Sequence, residues 1–357
     1  MSEFITLDRN DPRFESYLLG SFSSDHCALP VRSLHINSRA EQITFQVLPV
    51  AAIERPPMIL ILAQVMRLDL LSLSLTPALA AWALFGFTSD AVMGAVALLF
   101  LHAAFFARND FVDHLRGVDR LNEKGGSRVI QRGWLKATAV RKIFGLFFLT
   151  GAALALPVVI HHPMIAGLGI FGAIFGAFGY SHLRWSQSGW LVGGLSLFLC
   201  VGPLLCLGAY EVSAKTLVVN AHVLSGTSVN QTLVWLLGSL FGLVAVVYVE
   251  TRHLISIVID DEAELQTLPV RFGFDRAKKT LALFYFGVAI VLAALLFSLF
   301  HYLGLLIALP MVLIISRLGL AMYRVSSPLS SSLVTLLSRS NYLHVALGAL
   351  VIALCLL

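Results

Sequence analysis

Nine predominantly apolar runs, each about 18–22 residues long, recur between residue 68 and the C-terminus. A helix of that length crosses the hydrocarbon core of a bilayer. The composition agrees, because 58% of the residues are hydrophobic, only 13% are charged, and the mean hydropathy is +0.85. The sequence therefore predicts an all-α integral membrane protein rather than a soluble domain. The predicted spans are 68–87, 90–107, 142–160, 164–182, 189–210, 231–250, 281–300, 302–318 and 341–357.

Residues 1–57 precede these runs and mix polar with apolar residues, ending on Glu-Arg-Pro-Pro at 54–57. They contain no recognisable motif. We expect an N-terminal cytosolic segment of unassigned role at 1–57, followed by a transmembrane domain at 58–357.

Basic residues concentrate in alternate loops. The loops at 108–142, 251–280 and 317–340 are rich in Lys and Arg, whereas those at 161–163 and 211–230 hold almost none. Cytoplasmic loops of membrane proteins carry such an excess, so the N-terminus and the 108–142 loop are expected inside. We expect a bacterial cytoplasmic membrane as the location. The net charge of +5 is concentrated in these loops, so we predict no nucleic-acid partner.

A dense polar segment, ARNDFVDHLRGVDRLNEKGGSR at 107–128, directly follows the second run. Charge beside a membrane helix is costly unless it has a partner. Amide and carboxylate oxygens this close would repel one another without a cation, and hard oxygen ligands with room for water suit Mg²⁺. At ~100° per residue, the residues sharing one helix face are Asn109, Asp113, Arg116 and Arg120, with Asp110 beside them.

The basic residues of this segment would oppose a metal site unless an anion were also present. Mg²⁺ together with arginine suits a phosphate or diphosphate. The turn at 125–128 offers backbone N–H groups and brings Arg128 toward the same pocket. A solvated, positive-inside loop with helix-capping aspartates is the simpler alternative, but it does not explain Asn109, Asp110 and Asp113 at the membrane end of the helix.

The stretch NDFVDHLRGVD at 109–119 resembles the NDxxDxxx(xx)D signature of the UbiA superfamily of intramembrane prenyltransferases. The longer spacing to Asp119 and the trailing GGSRVIQRGWL most resemble its 1,4-dihydroxy-2-naphthoate prenyltransferase branch, in the menaquinone pathway. RLDLLSLSLTPAL at 67–79, Tyr180 and TLPVRFGFDRAKK at 267–279 are similar to further family segments. The resemblance covers roughly residues 60–357.

This resemblance implies nine transmembrane helices around a central lipid-open cavity, with a cytosolic cap over two aspartate motifs. It further implies Mg²⁺-dependent transfer of a prenyl group from a prenyl diphosphate to an aromatic acceptor. Asp110, Asp113 and Asp119 are the expected catalytic residues, and Tyr180 is expected at the acceptor. The expected metal ligands are Asn109, Asp110, Asp113 and Asp260. The expected diphosphate ligands are Arg116, Arg120, Lys124, Arg128, Arg184 and Arg252.

The second motif departs from the family pattern. Its three positions fall on Arg252, Ser256 and Asp260, and only Asp260 keeps its identity. Four-residue spacing predicts that the three share one helix face. Either Arg252 contacts diphosphate directly, replacing part of a metal site, or prenyl diphosphate binds poorly or not at all. Glu262 and Glu264 are nearby carboxylates that could compensate.

Several functions stay open at this point. Dihydroxynaphthoate is the first choice of acceptor, with hydroxybenzoate, homogentisate, chlorophyllide and lipid acceptors as alternatives. A carrier or scaffold that binds polyprenyl lipid without turnover is the non-enzymatic alternative, favoured by Ser256. A small-solute transporter is disfavoured, because the sequence has no internal repeat and no paired broken helices.

Overall fold

The structure is a computed structural model, and it describes residues 3–31, 42–121, 125–173, 176, 180, 186–215 and 227–356. The chain divides into two compact units. The first unit comprises 1–71, 100–152 and 258–265, and the second unit comprises 72–99, 153–257 and 266–357. The polar motif at 107–128 therefore belongs wholly to the first unit.

A small antiparallel sheet precedes the first span, in the first unit. Its strands follow the order β1-β3-β2 and are β1 (Glu3–Asp8), β2 (His26–Pro30) and β3 (Gln42–Pro49). Alternate residues of β3, namely Ile43, Phe45 and Val47, are buried, as the two-residue period of a strand requires. Helix α1 (Phe14–Leu19) covers this face, since Phe14 packs in the same cluster. The sequence analysis found no motif here, so the sheet is an unanticipated feature.

The other helices follow in chain order, and two short 3₁₀ turns, Val50–Ala52 and Leu68–Leu70, precede α2 and α3 respectively. The helices are α2 (Met58–Val65), α3 (Leu71–Phe85), α4 (Ser89–Arg116), α5 (Val118–Leu121), α6 (Ala137–His161), α7 (Met164–Ala173), α8 (Gly189–Val201), α9 (Pro203–Glu211), α10 (Thr227–Ile255), α11 (Ile257–Glu262), α12 (Leu268–Phe272), α13 (Phe274–Phe300), α14 (Tyr302–Arg324) and α15 (Ser331–Leu356).

Within the described residues, 8 helical stretches are long and apolar enough to cross a membrane. They begin with Leu68–Phe85, end with Ser331–Leu356, and correspond to all but one of the predicted spans. The remaining predicted span, 164–182, starts as α7 and then enters residues outside the described part of the chain. The structure confirms a helical integral membrane protein, while the count of nine spans stays a prediction.

Helix α4 continues beyond the span predicted for it. The predicted span ends at residue 107, yet the helix runs on to Arg116. Its backbone groups stay paired within the helix, so polar side chains at the membrane edge do not end it. As a result, Asn109, Asp110 and Asp113 lie in the last turns of a long helix rather than in a loop.

Large side chains fill the core of the second unit, among them Phe85, Phe241 and Tyr285, all fully buried. Helix α10 also makes a close backbone approach. A Cβ atom on Gly238 would lie 2.6 Å from the Cα atom of Pro203. Small residues permit this helix contact in membranes, where close packing replaces the hydrophobic driving force.

Candidate active site

The C-terminal end of α4 presents buried carboxylates. Asp110 and Asp113 are only 3% and 7% exposed. The Asn109 side-chain amide donates a hydrogen bond of 2.9 Å to Asp113 Oδ2, across one helical turn. Two buried carboxylates on one helix are costly without a positive partner, so this end of α4 favours a cation.

The predicted helix face does not continue past Arg116. Gly117 has a φ of 81°, a left-handed conformation that ends α4. Arg120 follows on the separate short helix α5, so it does not extend the face that carries Asn109 and Asp113 as the sequence analysis expects. The Arg116 side chain is exposed.

A turn at residues 125–128 closes over Asp110. The Ser127 N–H points at both carboxylate oxygens of Asp110, at 3.3 and 3.2 Å. Gly126 and Arg128 both have left-handed backbones, with φ values of 61° and 63°. For Arg128 this conformation is uncommon, and such positions concentrate at functional sites. The backbone N–H predicted for this turn is therefore used to hold the turn against Asp110.

Asp119 approaches the same turn from α5. It is 3% exposed, and its Oδ2 accepts a hydrogen bond of 3.1 Å from the Gln131 side-chain amide. The Arg128 guanidinium donates to the Asp119 main-chain carbonyl. A Cβ atom on Gly126 would lie 3.0 Å from Asp119 Oδ1 and 3.2 Å from Asp110 Oδ1. The Asp110 and Asp119 carboxylates thus both lie next to Gly126, whose lack of a side chain leaves space between them.

A cavity of about 600 Å³ opens beside this turn. Three arginines contribute cationic groups to its wall, and Leu60, Ala63 and Leu68 contribute apolar surface. Such a wall suits an anionic head attached to a hydrocarbon chain. The residues that line the cavity are Leu60, Ala63, Gln64, Arg67, Leu68, Asp69, Gly126, Ser127, Arg128 and Arg132.

Arg67 is the cavity arginine with the most restrained geometry. Its φ of 50° is left-handed, and its carbonyl oxygen lies 3.3 Å from His102 Nε2. Its guanidinium forms an ion pair of 3.2 Å with Asp69 and lies 5.8 Å from the centre of the Phe106 ring. The Arg132 guanidinium likewise lies over an aromatic ring, 4.7 Å from the centre of the Trp134 ring. Aromatic rings hold both guanidinium groups by cation–π contacts.

The donor set fits Mg²⁺ that is completed by a phosphate ligand. Within the described ranges, no three His, Cys, Asp or Glu side chains are placed to hold a metal ion by themselves. Mg²⁺ is commonly bound through one or two carboxylates plus substrate phosphates, which is what Asp110 and Asp119 beside the cavity can offer. The buried Ser127 side chain adds a hydroxyl to the same cavity wall, beside Asp110.

The second motif is interrupted. Helix α10 ends at Ile255, and both the N–H and the hydroxyl of Ser256 bond to the Arg252 carbonyl at 3.1 Å. A serine that bonds back in this way bends a helix. The expectation that the three positions share one continuous helix face is therefore wrong. Asp260 is 2% exposed on α11 in the first unit, whereas Arg252 and Ser256 belong to the second unit.

Tyr180 is half-buried. Lys124, Arg184 and the side chain of Arg120 lie outside the described residues.

Sequence reasoning did not select Arg67 or Arg132 as site residues. Arg67 carried a weak signal, because it is the single cation at the start of the first span, two residues before Asp69. Arg132 belongs to the basic loop, where nothing distinguishes it from its neighbours. Arg132 is only four residues from Arg128, whereas Arg67 reaches the same cavity from about sixty residues earlier in the chain.

The chain is similar to known proteins in both sequence and structure. The sequence matches the model of the family described as "UbiA prenyltransferase family" over residues 70–341. That match includes the polar motif and the second motif, and it leaves the N-terminal sheet outside. No curated protein matches the chain.

Solved structures share the fold. A UbiA homolog from Archaeoglobus fulgidus bound to DMAPP and Mg²⁺ is 18% identical, with a TM-score of 0.58 and coverage of 82% of this chain and 99% of that chain. One from the same organism bound to GPP and Mg²⁺ is 18% identical, with a TM-score of 0.56 and coverage of 83% and 100%. The apo UbiA homolog from Aeropyrum pernix K1 is 16% identical, with a TM-score of 0.58 and coverage of 82% and 98%.

Proposed function

Because the chain belongs to the UbiA prenyltransferase family, we propose that it transfers the prenyl group of a (poly)prenyl diphosphate to an aromatic acceptor in a Mg²⁺-dependent reaction. The observation that carries this proposal is the convergence of Asp110 and Asp119 on Gly126, beside an arginine-lined cavity. Two solved structures of a UbiA homolog from Archaeoglobus fulgidus support it, since one is bound to DMAPP and the other to GPP, each with Mg²⁺.

Dihydroxynaphthoate, in menaquinone biosynthesis, is the acceptor we propose first. The support is the resemblance of the Asp119 spacing and of the segment after Gly125 to that branch of the family. Hydroxybenzoate, homogentisate, chlorophyllide and lipid acceptors are the alternatives.

We propose that Asn109, Asp110, Asp113 and Asp260 supply the metal ligands, and we add Asp119 to this set because it converges with Asp110 on Gly126. When bound, Mg²⁺ neutralises the charge that develops on the departing diphosphate. Asp110 and Asp113 are buried on α4, and Asp260 is buried in the same compact unit. Their burial keeps the carboxylates away from water. In the lower dielectric of the protein interior, they attract a cation more strongly.

Diphosphate binding is proposed for the arginines of the cavity. Arg67, Arg128 and Arg132 line it, and guanidinium groups bind phosphate oxygens in pairs of hydrogen bonds. Arg252 is a further proposed ligand, and the KM for prenyl diphosphate of an Arg252→Ala variant decides its role. From sequence alone we also retain Arg116, Arg120, Lys124 and Arg184.

The chain's residues have distinct parts in the reaction. The bond between the prenyl carbon and the diphosphate oxygen breaks, its electron pair leaves with the diphosphate, and the arginines stabilise that charge. An acceptor ring carbon then bonds to the prenyl carbon and loses a proton, for which Asp113 or Asp119 is the proposed base. Tyr180 is the proposed acceptor contact. Leu60 and Leu68, which line the cavity with apolar side chains, help to exclude water from the reacting carbon.

Membranes that contain the protein should transfer a labelled prenyl group from a prenyl diphosphate to one of the acceptors named above. Transfer should stop in excess chelator, because carboxylates attract a diphosphate only through a metal. Product is measured by chromatography, with membranes from cells that lack the protein as the control. Undiminished transfer in chelator contradicts the metal site, and binding of prenyl diphosphate without any product favours the carrier alternative.

We further propose that residues 1–57 form a cytosolic segment and that 58–357 form the transmembrane prenyltransferase domain, with the aspartate motifs on the cytoplasmic side. A membrane-impermeant thiol reagent added outside intact cells should then label Lys215→Cys but not Arg141→Cys. Both positions are exposed, so accessibility to the reagent depends on the side of the membrane. Cells broken before labelling serve as the control, where both should react. The reverse pattern in intact cells would invert the orientation.

A further inference from the structure

The N-terminal fold, which comprises the described residues 3–31 and 42–55, is joined to the segment that carries the site turn. That segment, residues 125–136, is called the site loop. The Trp134 indole N–H donates a hydrogen bond of 3.0 Å to the Glu54 carbonyl. The Arg55 guanidinium donates one of 3.2 Å to the Gly133 carbonyl. The Lys136 ammonium donates to the Ser23 carbonyl. These contacts lie within the first unit and fix the C-terminal half of the site loop.

Close packing reinforces the hydrogen bonds. A Cβ atom on Gly133 would lie 2.8 Å from Ile53 Cδ1 and 3.3 Å from Leu29 Cδ2, so only glycine permits this approach. Cys27, 3% exposed, packs at the same place, and its burial raises the pKa of its thiol. The N-terminal fold and the site loop therefore share an apolar contact as well as polar ones.

One chain of hydrogen bonds leads from the N-terminal fold into the site. The Leu18 carbonyl on α1 lies 2.9 Å from His114 Nε2. Because a carbonyl only accepts, Nε2 carries the proton, and Nδ1 accepts from the Gln131 amide at 3.4 Å. The same amide donates a hydrogen bond of 3.1 Å to Asp119 Oδ2. His114 is 1% exposed, so this chain is shielded from solvent.

We propose that the N-terminal fold supports the active site through His114 and Gln131, which act as positioning residues for Asp119 and the site loop. The inference rests on the proposed function, since Asp119 and Gly126 belong to the site described above. Gln131 orients one carboxylate oxygen of Asp119, leaving Oδ1 directed toward Gly126. His114 holds the Gln131 amide, and α1 holds His114.

Hydrogen–deuterium exchange tests this support without any turnover. In the full-length protein in lipid nanodiscs, His114→Leu and Gln131→Leu should each speed exchange of the site-loop amides about 10-fold, equivalent to about 1.4 kcal/mol. His114→Gln should restore most of the protection, because its amide can still donate to the Leu18 carbonyl. Exchange in α6, also followed, reports whether the effect is confined to the site loop.

His344→Leu is the matched control. His344 is also fully buried in a helix, and neither ring nitrogen has a hydrogen-bond partner within the described chain. Its loss should leave site-loop exchange unchanged. If His114→Leu fails to fold, Gln131→Leu still decides the matter, since Gln131 is only half-buried. Unchanged site-loop exchange in Gln131→Leu overturns the proposal.

Kinetics separate this inference from the proposed function. For an active enzyme, Gln131→Leu should lower kcat/KM about 10-fold and raise the Mg²⁺ concentration for half-maximal rate, because Asp119 loses its fixed orientation. A change in thermal stability alone, with the same Mg²⁺ dependence, contradicts the positioning role. If the wild-type protein transfers no prenyl group, the proposed function fails, while the exchange result still reports on the support.

Discussion

Asp110→Asn should lower kcat/KM for prenyl transfer by about 1,000-fold or more, at unchanged expression in the membrane. The substitution keeps the size of the side chain and one oxygen that can accept from the Ser127 N–H, so the turn at 125–128 should persist. What disappears is the negative charge that holds the metal. A loss of 1,000-fold corresponds to about 4 kcal/mol of transition-state stabilisation, which suits one ionic ligand in a buried site.

Asp275→Asn is the matched control for this prediction. Asp275 pairs with Lys278 at 2.8 Å, and its side chain is 77% exposed, so the substitution removes the same charge without touching the site. Prenyl transfer should stay within about 2-fold of wild type, since exposed ion pairs contribute little. Initial rates at varied Mg²⁺ and prenyl diphosphate give both values. Near wild-type turnover in Asp110→Asn would show that the metal ligands have been assigned wrongly.

The parts of this architecture that sequence predicts are those set by the membrane itself. Bilayer thickness requires long apolar helices, so the described spans were predictable from hydropathy alone. Polar groups at a membrane helix end are costly, so Asn109, Asp110 and Asp113 stood out as candidate site residues. Both inferences use local composition, and the structure places all three residues on α4 as expected.

The points where helices end were not predictable from residue spacing. Spacing by four residues is compatible with one continuous helix, and the sequence analysis extended α4 to Arg120 and joined Arg252 to Asp260 on that basis. Gly117 takes a left-handed backbone instead, and the Ser256 hydroxyl bonds to the Arg252 carbonyl. Glycine after the last helical residue is a common stop signal, so the end of α4 could have been predicted from Gly117. Serine is tolerated inside a helix, so only the tertiary structure determines that Ser256 interrupts one.

Contacts between distant segments were likewise beyond reach. Arg67 joins Arg128 at the cavity wall although the two are separated by the whole of α4. The N-terminal sheet did leave a local trace, because Ile43, Phe45 and Val47 alternate with polar residues from Gln42 to Gln46, and the sequence analysis overlooked this strand period. Its contact with the site loop involves backbone carbonyls of Ser23 and Glu54, which leave no mark in a sequence.

Gly126→Ala should lower kcat/KM by about 100-fold, through the smallest possible side chain. The new methyl group would lie 3.0 Å from Asp119 Oδ1 and 3.2 Å from Asp110 Oδ1, so both carboxylates must move apart. Displacement of a reacting group by a fraction of an ångström to about one ångström costs up to 100-fold in rate. The left-handed φ of 61° adds backbone strain of about 1 kcal/mol for alanine.

The strain and the displacement can be separated with Gly273→Ala. Gly273 has a φ of 80°, but nothing lies within 4 Å of the position that its Cβ atom would take. It should therefore suffer the backbone strain, visible as a lower unfolding temperature, while the purified folded enzyme keeps its kcat/KM within about 3-fold. Gly126→Ala should in addition require more Mg²⁺ for half-maximal rate, because the altered spacing of the two carboxylates weakens their shared hold on the cation. Equal loss of activity in both variants would mean that strain alone is responsible, and that the space beside Gly126 is not where the metal and diphosphate meet.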